Sequence, residues 1–417
     1  MSLQTSPKKN ILILGGSYGG ISTAHYLLKN VIPNLSGASQ YEVILVSASS
    51  QALCRQACPR ALISDDFFPQ EKLFVDIPPM FNQYPDDRFR FLHGTVAAVN
   101  HTKRVASIKL PSGQREEIEY HVLIIATGAS TPSPALGLNN DVPQLRSSWA
   151  AIRKALPTAK SIVIAGGGPA GVETAGELGE YLNGLPRWVS LRSNPPKVDI
   201  KIVTSTPNIL PVLRSEIAQA AEKYLANVGV TVIKNVRVKK VEPLNSDEDK
   251  NDQIAAPTTV TLDNGQILET DLYIPATGTT PNTGFLDEIL LAPDGRVETN
   301  KSTLRVEKAG MRVYAIGDAA SFARPTVHSI FKAVPILCAN IKRDLLLSDG
   351  ATEAEAGEDC VFTEDTREAQ LVPIGRSKGV GAVMGYRLPS FLIWLIKGRD
   401  YFLWTTGKLW SGEQWTK

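Results

Sequence analysis

Cysteine is scarce in this chain, with four residues (Cys54, Cys58, Cys338 and Cys360) among 417. So few thiols exclude a secreted disulfide framework, and their spacing holds no CxxC pair of the structural zinc type. A reducing compartment fits, and a cytoplasmic location is expected. Histidine is nearly as sparse: His25, His93, His101, His121 and His328 fall in no metal-ligand spacing, so no metal centre is expected. Long apolar runs are missing too. No uninterrupted stretch reaches the ~18 to 20 residues needed to span a bilayer. The opening MSLQTSPKKN has no apolar targeting core, and Ser2 stands where myristoylation would need glycine. An excess of one charge is also lacking. The 44 Lys and Arg against 42 Asp and Glu leave a formal +2, too weak a field to favour phosphate backbones, so nucleic acid is not an expected partner.

What remains is an ordinary folded composition, 43% hydrophobic and 21% charged, with room for two or three domains at ~150 residues each. Its glycines matter through their clustering. Lys9 to Leu14 reads as a short buried strand, Gly15 to Gly20 as a tight turn, and Ile21 to Lys29 as a helix with an apolar face. YEVILV, Tyr41 to Val46, follows at the distance of the next parallel strand in a βαβ unit. From Arg88 to Ala126 short alternating strands predict a meander that returns to a core strand in VLIIATG, Val122 to Gly128.

The same cycle then restarts. Ser161 to Ala165 is a strand, Gly166 to Gly171 a turn, Val172 to Leu182 a helix and Val198 to Val203 the next strand. A second meander, Thr231 to Leu268, is interrupted by the polar stretch Asn245 to Pro257, which reads as a surface hairpin loop. DLYIPATG, Asp271 to Gly278, repeats the shape of VLIIATG, and a helix is expected after Ala320. Beyond a polar loop at Asp349 to Asp359, the remainder predicts a third, smaller unit of strands with at least one helix.

In the first turn Gly15, Ser17 and Gly20 occupy the GxGxxG positions, with Gly16 and Gly19 alongside and serine in the slot nearest a pyrophosphate. In the second turn Gly166, Gly168 and Gly171 complete the pattern. Each turn opens a helix whose free N–H groups and positive dipole end suit a diphosphate. By the residues alone, two such loops mean either two nicotinamide sites or one flavin and one nicotinamide site.

MRVYAIGDAA, Met311 to Ala320, adds an aspartate after a strand and a glycine. With the segments Ala126, Thr127, Gly128 and Ala276, Thr277, Gly278, and both loops in this order, residues from about 9 to 345 resemble the two-dinucleotide flavoproteins of the pyridine nucleotide-disulfide oxidoreductase superfamily. The resemblance implies FAD on the first loop, NAD(P)H on the second, and Asp318 at the ribitol and diphosphate of FAD. It implies that Glu173 faces nicotinamide and flavin. It also implies a helix after GDAA aimed at the flavin, which puts forward Lys332 and, four residues before it, His328 as catalytic candidates. Ser47 and Arg60 join the candidate FAD contacts. IGRSKGVG at 374–381 and LIKGRDYFLW at 395–404 are similar to the tail of apoptosis-inducing-factor-like and ferroptosis-suppressor-like flavoproteins. That likeness implies an NAD(P)H:quinone type of activity.

Some positions depart from the pattern. Where an acid usually grips a ribose 2′-OH, this chain has Ser47 and Thr204-Ser205, with no arginine evident for a 2′-phosphate, so NADH and NADPH stay equally open. Cys54 and Cys58 lie where disulfide-reducing members carry a redox pair, but with three intervening residues rather than four; packing cysteines are the alternative. Phe391, Trp394, Tyr401, Phe402, Trp404, Trp410 and Trp415 crowd the end of the chain with Lys397, Arg399 and Lys408. They suit a peripheral membrane contact, the wall of a quinone tunnel, or packing against the flavin domain.

The expected architecture is α/β, with two Rossmann-like dinucleotide-binding domains and a small C-terminal α+β domain. Its parts are FAD-binding residues 1–140 and 271–345, NAD(P)H-binding residues 141–270, and the C-terminal residues 346–417. The expected function is hydride transfer from NAD(P)H to FAD and onward transfer to a small-molecule acceptor of quinone type. The rivals are thiol-disulfide reduction through Cys54 and Cys58, an NADH-gated interaction protein, and a tailoring oxidase with a dedicated small molecule.

Overall fold

The computed structural model describes residues 8–185, 195–244 and 256–416. Most of the polar stretch Asn245 to Pro257 lies outside the described residues. Two parallel sheets organise the chain. The first runs in the order Val313–Ala315, Val122–Ile125, Lys9–Leu14, Tyr41–Ser47, Phe89–His93, every neighbour parallel. The second runs Val230–Ile233, Asp199–Val203, Ser161–Ala165, Leu272–Pro275, again all parallel. Central strands of such sheets are covered on both faces, which is why ILIL, VLII and IVIA are continuous apolar runs rather than alternating ones.

Each expected meander gives up its first strand to a parallel sheet. Phe89–His93 pairs with Tyr41–Ser47, and Val230–Ile233 pairs with Asp199–Val203. Edge strands are partly exposed, so their mixed composition looks antiparallel in sequence. The remaining strands do form antiparallel three-stranded sheets, Thr95–Asn100 with Val105–Lys109 and Arg115–Glu119, and Val238–Pro243 with Thr258–Leu262 and Ile267–Thr270.

The chain leaves the first sheet after Ile125 and returns to it at Val313, so the second sheet is built from the intervening sequence. The two crossings are stitched together. Ala129–Ser130 pairs antiparallel with Thr280–Pro281. Asn282 donates from Nδ2 to the Thr127 carbonyl at 3.0 Å, and its Oδ1 accepts from the Ser130 hydroxyl at 2.7 Å.

Both glycine-loop helices start earlier than their apolar faces suggest, at Tyr18 and Pro169, because the last glycines of each motif already lie in the first turn. Pro169 is well placed there, where no intrahelical N–H is needed. The first of these helices, Tyr18–Tyr26, passes into a π turn at Leu27–Val31. Asp318 sits in a short 3-10 turn, Gly317–Ala319; the long helix Val327–Ser348 begins later, capped by Thr326, whose hydroxyl accepts from Ser329 N at 3.0 Å.

The C-terminal segment contains the hairpin Gln370–Ile374 and Lys378–Val383, the short helix Ser390–Ile393, a π turn at Trp394–Gly398 and the helix Leu403–Trp410. The hairpin lies on the second glycine-loop helix, Pro169–Asn183. A Cβ on Gly176 would stand 2.9 Å from Gly375 N and Ile374 Cα, so glycine is what lets these backbones meet. The chain then crosses to the first glycine-loop helix. There the His25 ring meets the Trp410 carbonyl at 2.9 Å, and Asn30 donates to the Trp415 carbonyl at 3.0 Å.

Candidate active-site cleft

A single cleft of about 1470 Å³ runs between the ends of the two sheets and reaches both glycine loops. The loops are near-copies of one another. Gly15 and Gly166 have φ of +120° and +123°, and a Cβ on either would lie 2.1 Å from a carbonyl oxygen, that of Ala126 or Ala276. Gly20 and Gly171 do not line the cleft. Each lets its helix close on its own loop, since a Cβ there would fall 1.8 Å from Gly15 O or 2.0 Å from Gly166 O. Gly168 is different. It faces open space with nothing within 4 Å, and that space beside a helix N-terminus is what a pyrophosphate fills. At the matching place in the first loop, the exposed Ser17 also leaves its side chain uncommitted to any cap hydrogen bond.

Most sequence candidates meet in this cleft: Gly15, Gly16, Ser17, Gly19, Ser47, Ala126, Thr127, Gly128, Gly166, Gly168, Glu173, Gly278 and Asp318 all line it. Asp318 sits on the short turn after the strand Val313–Ala315. Burial pushes its carboxyl above the usual range, while Arg55, 3.9 Å away, and Arg296 pull the other way.

Besides Gly20 and Gly171, three candidates stand elsewhere. Arg60 is buried, with its Nε and Nη2 on the two Glu177 carboxylate oxygens at 2.9 and 2.7 Å. Beside Asp318 the arginine that lines the cleft is Arg55, which donates to the Ala129 carbonyl at 3.2 Å. His328 and Lys332 do share a helical face, but it is the exposed one, and Lys332 lies 3.6 Å from Asp365. The same helix turns its apolar Val327 and Ile330 to the cleft. Apolar burial therefore sets its rotation and leaves the polar pair to water.

Among the described residues, Lys397 is the lysine that reaches the cleft. Its Nζ donates to Glu173 Oε1 at 2.6 Å and to the Leu371 carbonyl at 3.1 Å, and both side chains of the pair are largely buried. Burial pushes the Glu173 carboxyl up to about 7; the Lys397 ammonium opposes this rise, and the neighbouring Glu177 charge adds to it. Glu177, one turn on, accepts from Tyr401 OH at 2.9 Å as well as from Arg60, so a buried polar chain runs inward from the cleft. Sequence reading placed Lys397 only among the cations of the aromatic tail and not as a partner of Glu173, because the two are 224 residues apart.

Phe391, Trp394 and Phe402 do not line the cleft. Phe391, Trp394, Leu395 and Trp404 are instead exposed, whereas Tyr401, Trp410 and Trp415 are buried in the core. Cys54 and Cys58 are buried free thiols outside the cleft lining, pushed up to about 11 and about 12 by burial. Among the described residues no cluster of metal-ligating side chains occurs, and no helix is long and apolar enough to cross a membrane.

Comparison with known proteins places this geometry. The family described as pyridine nucleotide-disulphide oxidoreductase matches residues 9–335. Oxidoreductase phnG of Penicillium herquei is 59% identical over 410 residues, covering 98% of each chain. Human ferroptosis suppressor protein 1 is 27% identical over 407 residues, covering 96% of this chain and 95% of its own. Among solved structures, the sulfide:quinone oxidoreductase of Aquifex aeolicus superposes with a TM-score of 0.68 at 17% identity, covering 97% of this chain and 92% of its own. At that identity the likeness is one of fold.

Proposed function

This chain belongs to the pyridine nucleotide-disulphide oxidoreductase family, and from that premise we propose that it is an FAD-dependent NAD(P)H oxidoreductase whose acceptor is a quinone-like small molecule. The bound flavin supplies hydride acceptance and onward electron transfer. The chain supplies position and protons. The first glycine loop, Ser47, Arg55 and Asp318 suit the FAD diphosphate and ribitol; the second loop, with its open space at Gly168, suits the nicotinamide dinucleotide.

The observation that carries the acceptor class is the Glu173 and Lys397 pair at the cleft wall. A quinone that takes two electrons becomes a hydroquinone only by also taking two protons. A carboxyl held near 7, hydrogen-bonded to an ammonium and open to the cleft, is matched to deliver one of them at neutral pH. Disulfide reduction would need a thiolate in the cleft. Cys54 and Cys58 are buried away from it, with thiols pushed up rather than down.

A second reading of the acceptor has its own support. The 59% identity to an oxidoreductase of Penicillium herquei, against 27% to the human ferroptosis suppressor, favours a tailoring role with a dedicated small-molecule substrate. Anaerobic reduction by NADH or NADPH, followed by reoxidation with quinones, disulfides and oxygen, tests the proposal. Fast reoxidation by quinones alone is expected. Disulfides reoxidising the enzyme as fast as quinones would overturn it. The exposed Phe391, Trp394, Leu395 and Trp404 support a peripheral membrane contact by the tail, for which flotation with liposomes is the check.

A further inference from the structure

The end of the strand Asp199–Val203 is where a dinucleotide fold normally distinguishes its two nicotinamide cofactors, and there this chain has Thr204, Ser205 and Thr206. No carboxylate is present to grip a 2′-hydroxyl or repel a 2′-phosphate. The segment is held tightly. Thr204 Oγ1 and Thr206 Oγ1 are 2.9 Å apart, and the Thr206 hydroxyl donates to the Asn208 carbonyl at 2.7 Å. A Cβ on Gly167 would fall 2.7 Å from Thr204 Oγ1, so the threonine turn packs directly on the second glycine loop. The Ser205 side chain is left exposed, without a hydrogen-bond partner among the described residues.

A second segment is laced to this turn through the main chain. Val236 N donates to the Thr204 carbonyl at 3.1 Å, and Asn235 N donates to the Thr206 carbonyl at 3.4 Å. The next residue is Arg237, which lines the same cleft as Ser205 and Thr206. Its backbone is fixed, since Arg237 N donates to Asp263 Oδ1 at 3.0 Å and its carbonyl accepts from Asp263 N at 2.9 Å. Its guanidinium makes no ion pair or hydrogen bond among the described residues. Nearby Lys234, by contrast, is occupied by Glu222 at 2.7 Å. An uncommitted guanidinium and a free hydroxyl thus flank the adenosine end of the second dinucleotide site. A planar fork of N–H donors matches two oxygens of a phosphate.

We infer that Arg237 and Ser205 form a 2′-phosphate subsite that makes NADPH, rather than NADH, the nicotinamide cofactor of this protein. The inference rests on the second glycine loop being the NAD(P)H site, and its test separates the two. Calorimetry on the FAD-loaded enzyme with 2′,5′-ADP and with 5′-AMP reads the subsite without turnover. The phosphorylated fragment is expected to bind about tenfold to a hundredfold more tightly, the usual range for a charged hydrogen-bonded contact. Arg237→Gln should remove that difference and leave 5′-AMP binding as it was. Ser205→Asp should reverse it, by placing a carboxylate where NADH-specific folds have one. In anaerobic flavin reduction, the same variants should lose efficiency with NADPH and keep it with NADH. Equal binding of the two fragments by the parent enzyme would overturn the inference. So would an Arg237→Gln enzyme that loses both cofactors equally. Failure of either nicotinamide to reduce the flavin, with fragment discrimination intact, would instead count against the hydride-transfer reading and leave the subsite standing.

Discussion

At the scale of single residues, the proposed function turns on where two buried cations are used. Arg60 neutralises Glu177 deep in the fold, and that leaves Lys397 alone to face Glu173 at the cleft. Glu173→Gln keeps the shape and removes the proton. Quinone turnover is expected to fall about 10²-fold or more, the usual contribution of a positioned acid, while the preceding reduction of FAD by nicotinamide continues; stopped-flow traces of the two half-reactions separate them. The pH dependence has a definite sign. A carboxyl raised from 4.5 to about 7 binds its proton more tightly in the folded state, so its contribution to stability is complete below about 4.5 and is lost as pH climbs toward 7. The parent should therefore lose stability and quinone turnover across that window, and Glu173→Gln should flatten both profiles. Lys332→Met gives the contrasting case. Its side chain is 42% exposed and pairs with Asp365 at the surface, an arrangement worth about 0 to 1 kcal/mol. The flavin midpoint potential is expected to stay unchanged, and a shift on spectroelectrochemical titration would place the lysine near the ring. Such differences are hard to read in a sequence. Arg55 and Arg60 differ by little more than one helical turn, and only the packing of Cys58–Ala61 against the second glycine-loop helix decides which of them meets the cleft.

At the scale of elements, the glycine loops were the most legible part of the chain, for a physical reason. Backbones that approach within 2.1 Å of where a Cβ would sit admit one residue type, so contact between elements is written as glycine at fixed spacing. Parallel core strands were legible as apolar runs. Partly exposed edge strands were not, and Phe89–His93 and Val230–Ile233 were read into the wrong sheets on that account. The interval between Asp318 and the long helix was also hidden, because Arg324 and Pro325 delay the helix start to Val327 without breaking the apolar pattern. The loop geometry yields its own prediction. Gly168 has an ordinary φ of −76° and open space beyond it, so Gly168→Arg is expected to fold normally and retain FAD. Its side chain would occupy the space a pyrophosphate needs, and reduction by NADPH or NADH should drop by at least about 10²-fold. A flavin spectrum and single-turnover kinetics check this; loss of FAD with nicotinamide binding preserved would mean the two loops have exchanged jobs.

At the scale of the whole molecule, the C-terminal segment holds the two dinucleotide folds together rather than capping one of them. Tyr401 and Leu403 are buried with the core of the second fold, and Trp410 and Trp415 with that of the first. Lys397 leaves this strap to complete the cleft. A chain cut after Gly385 therefore loses a catalytic candidate and part of both cores at once. Each buried aromatic or leucine side chain is worth roughly 1.5 to 3 kcal/mol, and four of them approach the 5 to 15 kcal/mol that typically separates folded from unfolded protein. The truncated protein is expected to be insoluble or to lose FAD on purification, so truncation alone would report stability rather than acceptor use. Point changes resolve the two. Trp404 is 60% exposed, and Trp404→Ala should stay within about 0.5 kcal/mol of the parent in denaturant melts. Trp410 is 3% exposed and packs against Tyr18 at a ring-centroid distance of 5.1 Å, and Trp410→Ala should cost about 3 to 5 kcal/mol. Equal melts for these two variants would show that the strap is peripheral to the fold. The expected inequality would make the tail a structural element that presents Lys397 to the cleft from the far end of the chain.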